Sequence, residues 1–214
     1  MMNKLINIFI DRSDMITDAF LQHIYLSFVS LAIGVLISLP LGMLVARHRK
    51  FAEPVIGVTA ILQTIPSLAL FGFLVPLIGI GSKTALIALI IYALLPILRN
   101  TYAGLTSVDQ SVIEAGKGMG LTANQILFKI ELPLALPFIM AGIRTATVLT
   151  VGIATLATFV GAGGLGDIIY RGLQSYNNTL VLAGAIPVAL LAIFFDFGLK
   201  IIEKKVTPKG LKID

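Results

Sequence analysis

Five long apolar runs dictate the solvent in which this chain must fold: Phe20 to Ala46, Val55 to Ile80, Thr84 to Leu98, Leu134 to Val160 and Thr179 to Ile202. A hydrocarbon core about 30 Å thick is crossed by about 20 helical residues, because each adds about 1.5 Å along the axis. The third run has only 15 residues, and Asn100 to Leu105 is available to extend it. With 57% hydrophobic and 13% charged residues and a mean hydropathy of +0.97, the bilayer replaces water as the expected surroundings. Transmembrane strands would alternate strictly along segments of roughly ten residues. "TALIALIIYALLPIL" does not alternate, so the expectation is an all-α integral membrane protein with about five transmembrane helices in one domain, residues 1–214.

The net charge of +5 is informative through its placement, and it gives no reason to invoke a nucleic-acid partner. If the loops alternate sides, one side holds 11 of the 16 Lys and Arg: Arg47, Arg49, Lys50, Arg99, Lys117, Lys129, Lys200, Lys204, Lys205, Lys209 and Lys212. The other side holds Lys4, Arg12, Lys83 and Arg171, and Arg144 falls within a span. The positive-inside rule then puts the N-terminus outside and the C-terminus in the cytoplasm. Residues 1–19 are an outer segment along the membrane surface, residues 20–202 hold the spans, residues 109–133 form a cytoplasmic loop, and residues 203–214 form a cytoplasmic tail. The start lacks the charged n-region and cleavage site of a signal peptide. The chain has no cysteine, and its two histidines, His23 and His48, are far apart, so no metal cluster is expected.

No internal repeat is evident, and five spans do not divide into equal halves, which disfavours the duplicated build of many secondary transporters. Proline occurs in or beside every span, at Pro40, Pro66, Pro76, Pro96, Pro137 and Pro187. Pro66 differs from the rest because Gln63, Thr64 and Ser67 bring polar groups to the same depth in "LQTIPSLA". A broken helix with polar groups at mid-membrane is how substrate paths are built, so these four residues are the candidate translocation pathway. Arg144 and Asp196 each lie inside a span at about the same expected depth. Each costs about 2.5 to 3.5 kcal/mol at a helix centre, so they are expected to pair with one another unless Arg144 snorkels to the interface.

The stretch from Ser111 to Pro137 interrupts this apolar pattern with two lysines, two glutamates and three closely spaced glycines. Two capping boxes, Ser111 with Glu114 and Thr122 with Gln125, announce two short helices, with Gly116, Gly118 and Gly120 expected to make the turn between them. Ile126, Leu127 and Ile130 form an apolar ridge on the second helix. Physics alone allows an amphipathic loop lying on the headgroups or a compact knob seated in a partner's groove.

The order of residues is more specific. Glu114-Ala115-Gly116, three residues to Gly120, nine to Ile130 and one to Leu132-Pro133 resembles the "EAA" loop of binding-protein-dependent ABC importers. Gly116, which stands where that signature has alanine, is the one departure. "LQTIPSLALFG", "LLPILRNTYAGL" and "FVGAGGLGDIIYRGL" extend the resemblance across Phe20 to Ile202, toward permeases for quaternary-amine osmoprotectants such as glycine betaine, carnitine and choline. The resemblance implies a type I ABC importer permease fold in the bacterial cytoplasmic membrane. It also implies two cytoplasmic ATPase subunits, a second permease subunit, identical or homologous, and an external solute-binding protein.

Glu114, Ala115, Gly116, Gly120, Ile130, Leu132 and Pro133 would then couple to an ATPase groove. No "GxxxxGK[ST]" phosphate loop occurs in the chain, so ATP and Mg belong to the partner, and the chain itself carries no cofactor. The resemblance further implies that Gly161, Gly163, Gly164, Gly166 and Asp167, in a flexible outer loop, help receive the binding protein. Without a Trp there is no obvious aromatic cage for a trimethylammonium group, and Tyr92 and Tyr102, which could line a passage, are expected instead to be packed or interfacial. A membrane enzyme, an alternative to be weighed with an assembly scaffold, would need a convergent set of nucleophile, base or metal ligands, for which Arg144 and Asp196 are too few, and an ion-driven secondary transporter would not need the loop.

Overall fold

The structure, a computed structural model, describes residues 2–207, so the expected tail beyond Thr207, with Lys209 and Lys212, lies outside the described residues. Helix α1 (Met2–Asp11) precedes α2 (Ser13–Arg47), followed by α3 (Ala52–Thr64), α4 (Ser67–Ile78) and α5 (Ser82–Thr106). Then come α6 (Gln110–Gly118), α7 (Ala123–Ile126), α8 (Leu132–Ala154), α9 (Leu165–Gln174) and α10 (Asn178–Val206). Among the described residues, four helical stretches are long and apolar enough to cross a membrane, and a fifth crossing results if α3 and α4 are counted as one bent span.

The spans depart from the expected boundaries in instructive ways. The first begins at Ser13 rather than Phe20, and α1 packs against α10 and α2, with Ile8 and Phe9 on the cluster formed by Ile16, Leu165 and Leu180. The third extends to 25 residues. Residues 55–80 are not one straight span: α3 and α4 have 13 and 12 residues and meet at 97°. At about 1.5 Å per residue neither reaches 30 Å alone. By contrast, α2, α4, α5, α8 and α10 keep Pro40, Pro76, Pro96, Pro137 and Pro187 in their interiors without a break.

Helix α5 is the spine. It packs against α2 on one side and α8 on another, while α3 and α4 lean on it and α10 covers α8 and α9. Lipid tails give no hydrophobic drive for helices to associate, so close backbone approach at small residues supplies the packing. Gly34 faces Ala93, Gly42 faces Thr101 and Gly104 faces Ala135 and Phe138. Gly142 of α8 lies so close to α5 that a Cβ there would sit 2.7 Å from Asn100 Cβ and 2.8 Å from the Pro96 carbonyl oxygen. Because that oxygen belongs to backbone, Gly142→Ala must push α8 off α5, at a cost of about 1–3 kcal/mol. Gly152 of the same helix has nothing within 4 Å of an added Cβ. Thermal unfolding in detergent is therefore expected to show a lowered midpoint for Gly142→Ala and an unchanged or raised one for Gly152→Ala, since alanine favours helix by about 1 kcal/mol.

Candidate functional site

The loop between α5 and α8 folds into a small, ordered unit. Asp109 caps α6 by accepting from the Ser111 backbone N–H at 2.8 Å, so the start is two residues earlier than the expected Ser111–Glu114 box. Hydrogen bonds from the Ser111 amide and hydroxyl hold the Asp109 carboxyl below the usual carboxylate range. The Thr122–Gln125 capping box is present, with Gln125 N–H on Thr122 Oγ1 at 3.3 Å and Thr122 N–H on Gln125 Oε1 at 2.8 Å.

Gly116 and Gly118 lie within α6 rather than in the turn, and only Gly120, with φ of 79°, supplies the left-handed residue. Its N–H reaches Lys117 O and that of Leu121 reaches Gly116 O, the paired bonds that end a helix on a left-handed glycine. Gly116 has its own use: a Cβ there would meet Ile130 Cδ1 at 2.8 Å, with Ile126 and Leu121 at 3.6 and 3.7 Å. The absent methyl lets α6 lie directly on the Ile126–Ile130 ridge. Glu114, Ala115 and Gly120 remain exposed, beside exposed Val112, Met119 and Phe128.

The second loop helix does not stop before the membrane. From Ala123 to Val160 the chain is one 38-residue helical run, with a single wide turn at Leu127–Glu131 where Leu132 N–H bonds to Leu127 O. Pro133 explains that turn: it has no N–H to offer the Lys129 carbonyl, and the wider register accommodates its ring. Ile130, Leu132 and Pro133 are half-buried along this join. The loop is also tied to α2, whose Arg47 donates to Ala123 O at 2.8 Å and to Asn124 Oδ1 at 3.4 Å.

At the break, the Ile61 and Ile65 carbonyls at the end of α3 accept side-chain hydroxyls. Thr64 Oγ1 donates to Ile61 O at 2.7 Å, and the Tyr92 hydroxyl of α5 donates to Ile65 O. Thr64 and Pro66 are exposed on an open face of the chain, while Gln63 and Ser67 are half-buried. Tyr102 is partly buried against Val45, Ala52 and Leu98.

At the opposite end from α6, the Gly161 to Asp167 loop is pinned rather than loose. Gly164 N–H donates to Gln22 Oε1 at 3.0 Å, a Cβ on Gly163 would strike Gln22, and one on Gly166 would strike the Thr155 carbonyl. Gly164 itself lies against the ring of His23, which is fully buried and donates from Nε2 to Val151 O at 3.1 Å. Of this group only Gly161 is fully exposed, and Asp167 is half-buried in the first turn of α9. Sequence reasoning missed Tyr176, which is 95% exposed at the α9–α10 turn. It takes φ of 52° where glycine is usual, and no periodicity signals that.

Arg144 and Asp196 come together in a two-pronged pair, Nε to Oδ1 at 2.8 Å and Nη2 to Oδ2 at 3.1 Å. Glu203, absent from the sequence expectation, joins through Arg144 Nη1 at 3.1 Å, one further pair of turns along α10. The side chains are 27%, 36% and 23% exposed, so the cluster is partly screened, and its loss costs less than that of a buried ion pair. Single changes Arg144→Gln and Asp196→Asn are each expected to lower stability by about 1–2 kcal/mol. The double change should cost less than their sum, because neither group is then left unpaired. Unfolding midpoints of the four-member cycle check this, and strict additivity would contradict a functional pair.

Comparison with known proteins agrees with this geometry. Residues 38–208 match the family described as "Binding-protein-dependent transport system inner membrane component". The chain is 48% identical over 191 residues to the glycine betaine/carnitine/choline transport system permease protein OpuCB of Bacillus subtilis, covering 89% of this chain and 88% of that one. It is 47% identical to the carnitine transport permease protein OpuCB of Listeria monocytogenes, also over 191 residues, with the same coverage. To the osmoprotectant import permease protein OsmW of Salmonella typhimurium it is 40% identical over 212 residues, covering 97% and 99%. Among solved structures, a chain of the MetNI methionine ABC transporter, in inward-facing conformations, superposes with a TM-score of 0.84 at 28% identity, covering 92% of this chain and 99% of that one. A helical bundle with this loop, matched over most of its length, belongs to the inner membrane components of binding-protein-dependent transport systems, as a multi-pass permease subunit with the type I ABC importer fold.

Proposed function

We propose that this chain forms half of the translocation path of an ATP-driven importer for quaternary-amine osmoprotectants, glycine betaine, carnitine and choline among them. The observation that carries the coupling role is the unbroken helical run from Ala123 to Val160, which joins the exposed loop surface to the far end of the bundle. Glu114, Ala115 and Gly120, with Val112, Met119 and Phe128 beside them, present the face that an ATPase groove takes up. Gly116, Ile130, Leu132 and Pro133 hold that face on α8. ATP and Mg stay on two partner ATPases.

The second permease subunit, identical or homologous, covers the open face at Gln63, Thr64, Pro66 and Ser67, where polar groups would otherwise meet lipid. The loop side faces the cytoplasm, in keeping with its Lys and Arg, and the end bearing the Gly161 to Asp167 loop and Tyr176 faces the binding protein. Relatives named for glycine betaine, carnitine and choline transport support the substrate class.

Uptake into vesicles containing this chain, a matching ATPase and a binding protein tests the proposal. Uptake is expected to require hydrolysable ATP. Gly120→Ala, which places a Cβ at φ of 79°, costs about 1 kcal/mol of loop order and is expected to reduce uptake several-fold while the bundle keeps its unfolding midpoint. Uptake that persists without ATP or without the ATPase would contradict the assignment.

A further inference from the structure

We propose that Tyr92 is the positioning residue of the translocation path, a hydroxyl latch that sets the break between α3 and α4. The break is a costly object inside a membrane, because lipid offers no donor to a carbonyl freed from its helix. Pro66 has no N–H, which leaves the Leu62 carbonyl without its helical donor, and the chain turns by 97° at Ile65–Pro66. The Ile65 carbonyl, at the corner, is taken by the Tyr92 hydroxyl from α5.

That bond is held in place from behind. Tyr92 is 5% exposed, in the cluster of Leu70, Phe71, Leu74, Leu89, Ala154 and Ala157, which joins α4 and α5 to the far end of α8. The same end is fastened a second time where Gly81 N–H, at the turn between α4 and α5, donates to Val160 O at 2.6 Å. A shift of α8 therefore reaches the corner through the ring, and the hydroxyl decides which geometry the corner adopts.

Tyr92 acts this way only if the break borders the path, as proposed above, and one labelling experiment separates the two ideas. The chain has no cysteine, so Ser67→Cys gives a unique thiol in it. Its reaction with a water-soluble maleimide is followed in the assembled transporter, nucleotide-free and trapped with ATP and vanadate. With Tyr92 intact, the two states are expected to label at rates differing about tenfold or more, the effect of losing one well-made hydrogen bond. Tyr92→Phe keeps the ring and its packing, and is expected to shrink the difference to about twofold or less.

Pro66→Ala supplies the second arm. An alanine N–H at 66 can donate to Leu62 O, the helix can continue, and Ala69 N–H then serves the Ile65 carbonyl, so the tyrosine hydroxyl becomes dispensable. Adding Tyr92→Phe to Pro66→Ala is expected to change labelling no further, a non-additivity that loss of packing would not produce. State-dependent labelling that is unaltered by Tyr92→Phe overturns the latch alone, as do independent, additive effects of the two changes. A thiol at 67 that is inert in both states with Tyr92 intact overturns the path, and the latch with it.

Discussion

Inside a bilayer a backbone carbonyl that leaves its helix gets no donor from lipid and must find one elsewhere, and the rest of this structure follows from that requirement. Pro40, Pro76, Pro96, Pro137 and Pro187 all sit in helices that absorb them. At Pro66, by contrast, the chain opens, and there the Ile61 and Ile65 carbonyls receive hydroxyls from Thr64 and Tyr92. Pro133 is handled differently, by one wide turn that keeps the helix continuous. Two prolines thus have opposite outcomes: one makes a corner, the other preserves a rod.

The rod matters because it has partners at both ends and in its middle. Gly116 lets α6 rest on Ile130, and Arg47 binds the first turn after Thr122, so the loop and the head of α8 form one body. Arg144 fixes the middle of α8 to α10 through Asp196 and Glu203. Val160 and Ala157 fix its tail to the α4–α5 turn and the Tyr92 cluster. A displacement at the loop has few ways to dissipate along such a path, since packed interfaces switch between arrangements rather than deform smoothly.

Much of this was legible in the residues. Hydropathy alone defined the membrane runs, and the spacing from Glu114 to Pro133 located the loop, because its glycine and apolar positions are contacts: Gly116 to Ile130 and Gly120 to its helix end. Pro66 among Gln63, Thr64 and Ser67 marked the break, although nothing in the run 55–80 reveals a 97° corner. The hidden parts are those set by distant neighbours. Gln22 pinning Gly164, Glu203 joining Arg144 and Tyr92 reaching Ile65 lie 142, 59 and 27 residues apart in the chain, beyond the reach of any local pattern. The glycines of the 161–167 loop pointed to looseness in the sequence, yet Gly163 and Gly164 take left-handed φ of 77° and 89° against Gln22 and His23, and the Thr155 backbone occupies the space a Cβ on Gly166 would need.

The central claim is that the loop and α8 move as one rigid body against the broken span. Paired spin labels in one permease subunit of the assembled transporter test it directly, at exposed Lys117 and Phe159 for the two ends of the rod and at Lys117 and Ile61 for loop against break. Between the nucleotide-free and the ATP-trapped states, the 117–159 distance is predicted to stay fixed while the 117–61 distance shifts by about 2 Å or more. A rod that changes length while the distance to the break holds constant would contradict the account.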